Sequence, residues 1–281
     1  MTPEQEPHYR ERIVAYMHKA MREAKVYTSW INPSERHEAA MTKFVDAVLA
    51  PDNRAFREDF LELHRLVAQY GIYNSLAQLA IKIGAPGVPD FYQGTEFWDF
   101  SLVDPDNRRP VDYARRRTLL IRIDEACSRD GRLAVATQLL DARDDRLKLF
   151  ATSSLLRLRR ADREVFERGS YEPLTAEGSA REHVFAFARA LADRHLLIIA
   201  PRLVATLTPD VEVLPLGERI WGDTALPLPE RLSAPEAYFH VLTHESVPVH
   251  RNGRAAVRAA DAFAHFPIAI LASAGGRPGA Q

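Results

Sequence analysis

From Pro86 to Tyr113 the chain reads PGVPDFYQGTEFWDFSLVDPDNRRPVDY, which gathers carboxylates, amides, guanidinium groups and aromatic rings into one stretch. That mixture suits a sugar, because hydroxyls need directional partners and the apolar face of a pyranose stacks on a ring. The candidate sugar contacts are Tyr92, Gln93, Glu96, Trp98, Asp104, Asn107 and Arg108. Asp104, Asn107 and Arg108 would be hydrogen-bonding partners, and Tyr92 and Trp98 apolar walls. A structural reading stands beside this one: Asp and Asn side chains commonly bond local backbone, arginines would pair with the acids, and Trp98 would be core. Asp104-Pro105-Asp106-Asn107 resembles the start of a calcium loop but lacks the glycine and distal glutamate of an EF-hand. His240 and His244 have the i, i+4 spacing of a zinc pair on a helix, yet their segment reads as strand. No phosphate loop, nucleophile elbow or dinucleotide fingerprint occurs, and no metal site is expected. Glycoside chemistry needs two carboxyl groups, about 5 to 5.5 Å apart in a retaining enzyme. Asp90 and Glu96 are the nearest candidates, but nothing in the sequence makes two acids converge, and no residue is assigned as catalytic.

Several elements must position these residues. Val88 to Tyr92 reads as a short strand, ended by Gly94. In a β/α barrel the loop after it would lie at the C-terminal end of the strand, where active sites sit. Upstream, Tyr9, Ile13, Tyr16, Met17 and Ala20 predict an amphipathic helix to about Ala24. A second helix is expected to be capped by Asn32, with Pro33 at its first position, Glu35 reaching back, and Met41, Phe44, Val45 and Val48 inward. A third should carry Phe56, Phe60, Leu63, Leu66, Val67 and Tyr70 on one stripe and end at Gly71, with a shorter one from Leu76 to Ile83. Pro110 can open a further helix, Thr118 to Cys127 and Leu133 to Leu140 are helical by composition, and Arg146 to Arg160 predicts another. The basic run Arg157, Arg159, Arg160 and Arg163 reads as a solvated or domain-facing surface rather than a nucleic-acid site.

From Gly169 the pattern changes to short strands at Tyr171–Leu174, His183–Ala190, Leu196–Ala200, Val211–Leu214, Ala225–Leu228, Tyr238–Thr243, Val247–His250 and Pro267–Ala272. Phe185 and Phe187 alternate with small residues and read as core of a β-sandwich. A domain boundary is expected at Phe166 to Gly169, and the tail after Ser273 should fray.

Gly87-Val88-Pro89-Asp90-Phe91-Tyr92-Gln93-Gly94-Thr95-Glu96 resembles the last barrel strand of the α-amylase superfamily (glycoside hydrolase family 13), whose loose form is G-x-P-x-x-Y-x-G-x-E. The continuation through DFSLVDPDNRRPVDY resembles the maltooligosyl trehalose synthase family, and KAMREAKVYTSWINPSERHEAAMTKFV resembles its helical insertion between the seventh and eighth barrel strands. With YEPL, HVFAFAR and FPIAIL, the resemblance extends over about residues 8 to 273. It implies an α+β multidomain chain: a helix-rich C-terminal remnant of a (β/α)8 barrel over 1–168, an antiparallel β-sandwich over 169–275, and a flexible tail over 276–281. It also implies a maltooligosaccharide substrate, no cofactor, and isomerisation of the substrate's reducing-end α-1,4 link to an α,α-1,1 link. The family's catalytic carboxylates lie on earlier barrel strands. The His-Asp pair that marks the third of them is absent, since no histidine here is followed by an aspartate. The chain is thus expected to be inactive alone and to need a missing N-terminal barrel chain. The alternatives are a non-catalytic glucan-binding protein and a structural subunit of a split enzyme.

Composition agrees with an ordinary globular protein: 281 residues, 46% apolar and 27% charged. A net charge of -1, from 37 basic and 38 acidic residues, supplies no bulk attraction to nucleic acid or anionic lipid. Cys127 is the sole cysteine, which excludes an internal disulfide and fits a reducing compartment. The opening MTPEQEPHYRER is too polar for a secretory signal, and no apolar run reaches the roughly 20 residues that span a bilayer. A cytoplasmic location without membrane partners is therefore expected.

Overall fold

A computed structural model describes residues 6–251 and 253–273. The chain divides into two compact units, Asp99–Val111 with the residues up to Val67, and Ala68–Trp98 with those from Asp112 onward. The tail from residue 274, expected to fray, lies outside the described residues.

In the first unit, helices α1 (Glu6–Ala24) and α2 (Glu35–Leu49) pair antiparallel. Three polar contacts fix the register: Arg10 with Asp46 at 2.5 Å, His18 Nε2 with Thr42 Oγ1 at 2.9 Å, and Arg22 Nη2 with Glu38 Oε2 at 2.6 Å. The cap of α2 is Ser34, whose Oγ accepts from the His37 N–H, and not Asn32. Asn32 is held in a tight local turn instead, its N–H donating to Ser29 Oγ and its carbonyl accepting from the Ser29 N–H. That turn moves the helix start beyond Pro33. Val45 is buried as expected, but Phe44 is 61% exposed.

Helix α3 (Arg54–Gly84) is continuous for 31 residues, where two helices broken near Gly71 were expected. A glycine ends a helix only where the chain must take a left-handed turn. Gly71 does not take a positive φ, so the helix runs on through it at the cost of one weak position of about 1 kcal/mol. The apolar stripe of its first turns, Phe56, Phe60, Leu63, Leu66 and Val67, is exposed, with the Phe56 and Phe60 rings stacked at 5.7 Å.

In the second unit, the last turns of α3 are joined by α4 (Tyr113–Asp130), α5 (Arg132–Ala142), α6 (Asp145–Ala161) and α7 (Arg163–Arg168). Asp112 caps α4 and Asp144 caps α6, so α4 opens three residues after Pro110. There follow β1 (Ser170–Leu174), β2 (Val184–Leu191), β3 (Arg194–Pro201), the short helices α8 (Val204–Leu207) and α9 (Glu218–Trp221), β4 (Ala225–Pro227), β5 (Ala237–His240), β6 (Ser246–Pro248), β7 (Ala256–Arg258), α10 (Ala259–Ala262) and β8 (Ala269–Ala272). The main sheet is antiparallel with order β1-β2-β3-β8-β5-β6, and β4 pairs with β7 in a second, two-stranded sheet.

Strand alternation builds two cores. Phe187, Leu196, Ile198, Ala200 and Ile270 face one way and pack with Leu76, Ala80 and Ile83 of α3, Leu140 of α5 and Phe150 of α6. Ala186, Ala188, Leu197, Ile199 and Leu271 face the other way and pack with Leu226 of β4, Val257 of β7, Trp221 and Phe263. Phe187 is thus core, while Phe185 is 36% exposed. Helix α3 approaches the sheet closely at Gly84, where a Cβ would lie 2.6 Å from Ile198 Cγ1. Arg189, 1% exposed, ties these layers together by donating to the carbonyls of Gly84, Phe166, Gly169 and Ser170.

Two strand expectations fail and one strand was not expected. Val211–Leu214 is irregular, residues 88–92 have no regular structure, and β7 has no counterpart among the expected strands. An extended segment becomes a strand only when a neighbour supplies hydrogen-bonding partners, and none of the described strands pairs with 88–92.

Candidate functional site

The seven candidate sugar contacts fall in both units: Tyr92, Gln93, Glu96 and Trp98 in the second, Asp104, Asn107 and Arg108 in the first.

In the second unit the irregular segment 85–98 is held by side chains of neighbouring helices. Arg159 of α6 donates to the carbonyls of Ile83 and Gly87, and its guanidinium lies over Phe166 at 4.9 Å. Lys82 Nζ stands 3.9 Å from the Phe91 ring centroid. The Thr95 N–H and Oγ1 both donate to the Tyr92 carbonyl, and the Phe97 N–H donates to that of Gly94. These turns require φ of +89° at the buried Gly94, which only glycine adopts without strain. Arg116 of α4 grips the same turn, donating from Nη2 to the Gly94 carbonyl (2.9 Å) and from Nε to Glu96 Oε2 (3.1 Å), with its guanidinium 4.2 Å from the Phe97 ring. Phe97 is buried, and the Trp98 indole N–H donates to the Arg143 carbonyl at 3.1 Å. Glu96 is therefore ion-paired and Trp98 half-buried, while Tyr92 and Gln93 are exposed to solvent.

In the first unit, α1 organises the segment 99–111. Arg12 engages both carboxylate oxygens of Asp106 at 2.8 Å and the Phe100 carbonyl at 3.0 Å. The Leu102 N–H donates to Asp106 Oδ2 at 2.7 Å, and Arg109 Nε donates to the Asp106 carbonyl at 2.9 Å. The hydrogen bond from Arg12 holds the Asp106 carboxyl below the usual carboxylate range. Lys19 Nζ donates to the Asp104 carbonyl at 2.6 Å and lies 3.6 Å from its Oδ2, and Arg108 Nε is ion-paired with Asp104 Oδ1. The amide oxygen of Asn107 is buried and accepts no hydrogen bond from the described residues.

Arg12 and Lys19, which hold this unit through Asp106 and Asp104 respectively, were not among the expected site residues. Each pair is separated by some 90 positions in sequence, and a helical arginine and lysine carry no local mark of what they will meet. The histidine pair dissolves on inspection: His240 ends β5 with its Nδ1 accepting from the N–H groups of Leu242 and Thr243, and His244 sits in the turn at φ +63°. Burial pushes both imidazoles down to about 4. Three of the basic run are engaged locally, Arg157 by Asp124 at 2.7 Å, Arg159 by the end of α3 and Arg163 by Glu167 at 2.6 Å. No helix among the described residues is long and apolar enough to cross a membrane.

Comparison with known proteins gives no match to a family model. A curated protein of Mycobacterium tuberculosis named for maltooligosyl trehalose synthase is 37% identical over 220 residues, covering 76% of this chain and 25% of the relative. Among solved structures, the maltooligosyltrehalose synthase of Arthrobacter ramosus superposes with a TM-score of 0.69 at 35% identity, over 93% of this chain and 30% of the other. A protein of Sulfolobus tokodaii described as a hypothetical maltooligosyl trehalose synthase superposes with a TM-score of 0.61 at 28% identity, over 95% and 29% of the two chains. The chain thus spans about a quarter of the length of the curated relatives it matches. Together these likenesses make the chain homologous to a C-terminal part of maltooligosyl trehalose synthase.

Proposed function

We propose that the chain forms the C-terminal part of a maltooligosyl trehalose synthase, a (1→4)-α-D-glucan 1-α-D-glucosylmutase, and supplies walls of its substrate site but not its catalytic acids. In that reaction the reducing-end α-1,4 bond is cleaved onto an enzyme carboxylate. The released glucose then attacks the glycosyl-enzyme through its own anomeric hydroxyl, giving the α,α-1,1 link with no net gain or loss of atoms. Water must be kept out for the internal attack to win, and holding the free glucose in place shortens its search. Tyr92, Gln93, Glu96, Trp98, Asp104, Asn107 and Arg108 are the residues we assign to sugar contact. Helices and irregular segments of 1–168 are read as the end of a (β/α)8 barrel, and 169–275 as its β-sandwich domain, in a cytoplasmic protein. The observation that carries the reading is the 37% identity to a relative so named over three quarters of this chain.

The pairing within the loop supports the division of labour. A general acid works with a raised pKa, whereas Asp106 is lowered by Arg12, and Glu96 is ion-paired with Arg116. The exposed apolar stripe of α3 favours, as the alternative reading, a subunit completed by a second polypeptide over a free-standing glucan binder. The test is an assay for trehalose-ended product from maltopentaose. The purified chain should form none, and product should form when the chain is combined with the complementary part of the A. ramosus relative. Turnover by the chain alone would refute the assignment of the acids elsewhere. No turnover by the complemented pair, with both parts folded, would refute the family activity.

A further inference from the structure

The turn between β5 and β6 is built around one imidazole. His240, 2% exposed at the end of β5, accepts at Nδ1 from the N–H groups of Leu242 (3.2 Å) and Thr243 (3.4 Å). A ring nitrogen that accepts carries no proton, so this arrangement belongs to the neutral ring with its proton on Nε2. The backbone of the same residue frames the turn. Its N–H donates to the Glu245 carbonyl at 2.9 Å, and its carbonyl accepts from the His244 N–H at 2.8 Å. Val241 and Leu242, inside the turn, are buried in the core shared with α5 and α6. The Leu242 carbonyl accepts from Nε of Arg132 on α5 at 3.2 Å. Nη2 of that guanidinium donates to Ser154 Oγ of α6, and the Phe150 ring lies 4.8 Å from it. One turn thus pins two helices to the sheet, and His240 holds the turn.

The surroundings do not favour a second proton on this ring. The titratable groups about it are His244 and Glu245 of its own turn, His265 ahead of β8, Arg132 of α5, Asp261 of α10, and Tyr238 on the same face of β5, whose ring meets His195 at 5.4 Å. Glu245 is engaged by His265 at 2.9 Å and Asp261 by His250 at 2.7 Å, while His244 and His265 oppose a charge on His240. We propose that His240 is an acid-sensitive latch: a proton on Nδ1 sets a new N–H against the two it accepts from, which opens the turn at 241–245 and releases the Arg132 tie to α5 and α6. The latch is independent of the sugar reading, since it involves none of the candidate sugar contacts. Burial holds the folded imidazole at about 4, below the ordinary 6.5. The closed turn is therefore fully stabilised above pH 6.5 and weakens as the pH falls toward 4.

The test is amide hydrogen exchange of the 281-residue chain between pH 7 and 4.5, read as protection relative to the free-peptide rate, with His240→Asn and His240→Leu alongside. Asparagine keeps an acceptor in the place of Nδ1 and has no proton to gain, whereas leucine offers no acceptor. In the unmodified chain, protection at residues 241–245 and in the first turn of α5 should fall about tenfold per pH unit below 6.5, while β2 keeps its protection. His240→Asn should stay protected down to pH 4.5, and His240→Leu should be weakly protected already at pH 7. Equal acid loss in His240→Asn, or protection of the unmodified chain that ignores pH, would overturn the latch. Simultaneous loss in β2 would do so as well, since the transition would then be a general acid unfolding. Nitrogen-15 spectra of the His240 imidazole in the unmodified chain decide the matter even if His240→Asn does not fold. Nδ1 should gain its proton in step with the loss of protection, and a protonated ring inside a closed turn would sink the proposal.

Discussion

Glu38 illustrates how one side chain fixes a loop. Its carboxylate accepts from Arg22 and Thr28, and these bonds lower its pKa from an ordinary 4.5 to about 2. Because the folded value lies below the unfolded one, the stabilisation is complete above pH 4.5 and is lost as the pH falls toward 2. Trp30 emission should therefore report a native loop at pH 5 and its loosening between about 4 and 2. Glu38→Gln should lack that acid transition and show the loosened signal at neutral pH. An identical acid titration in the variant would mean that Glu38 does not hold the loop. Arg116 has the matching role in the second unit, joining Gly94, Glu96 and Phe97 with one planar group. Neither arginine could be assigned its partner from the sequence, because Glu38 lies 16 residues from Arg22 and Glu96 lies 20 from Arg116.

Among the elements, α3 is where periodicity and punctuation disagreed. The apolar spacing ran across Gly71, and the helix followed the spacing. Gly71 and Gly84, both in this helix, should respond oppositely to alanine. Nothing lies within 4 Å of a Cβ at Gly71, so Gly71→Ala should raise unfolding stability by roughly 0.5 to 1 kcal/mol. A Cβ at Gly84 meets Ile198 Cγ1 at 2.6 Å and the Phe187 ring at 3.2 Å, so Gly84→Ala should cost about 1 to 3 kcal/mol. Urea denaturation of the two variants decides both. A neutral Gly84→Ala would mean that the helix-to-sheet approach is looser than described. Strands β1 to β6 and β8 all fall on the alternating or apolar runs expected to hold them. β7 lies in the alanine- and arginine-rich run RAAVRAADA, where good helix formers mask a three-residue strand.

At the scale of the whole molecule, the salient fact is how much apolar surface helices and loops leave uncovered. Phe44, Phe56, Phe60, Leu63 and Val88 are each 40% or more exposed. Homologues of this chain are about three times its length by the shares matched, so surface exposed here corresponds to part of a larger protein there. The purified chain should accordingly enhance 8-anilinonaphthalene sulfonate fluorescence, and addition of the complementary part of the A. ramosus relative should reduce it. Enhancement that is unchanged by the complement would argue against a completing partner.

The sequence alone determined the family resemblance, the helical pattern of residues 6–168, most strands of the main sheet, and the loop whose composition suits a sugar. These rest on local periodicity and on contiguous residue types, which a linear text preserves. Tertiary structure decided the rest. It left 88–92 without partners and hence without a strand, merged two helices into α3, and made Asp106 a hub through Arg12. It also set Trp30 beside Arg22 and one helical turn from the anchor of Asp104. Each of these depends on which distant group satisfies a hydrogen bond or covers a ring, and that information exists only once the chain has folded back on itself.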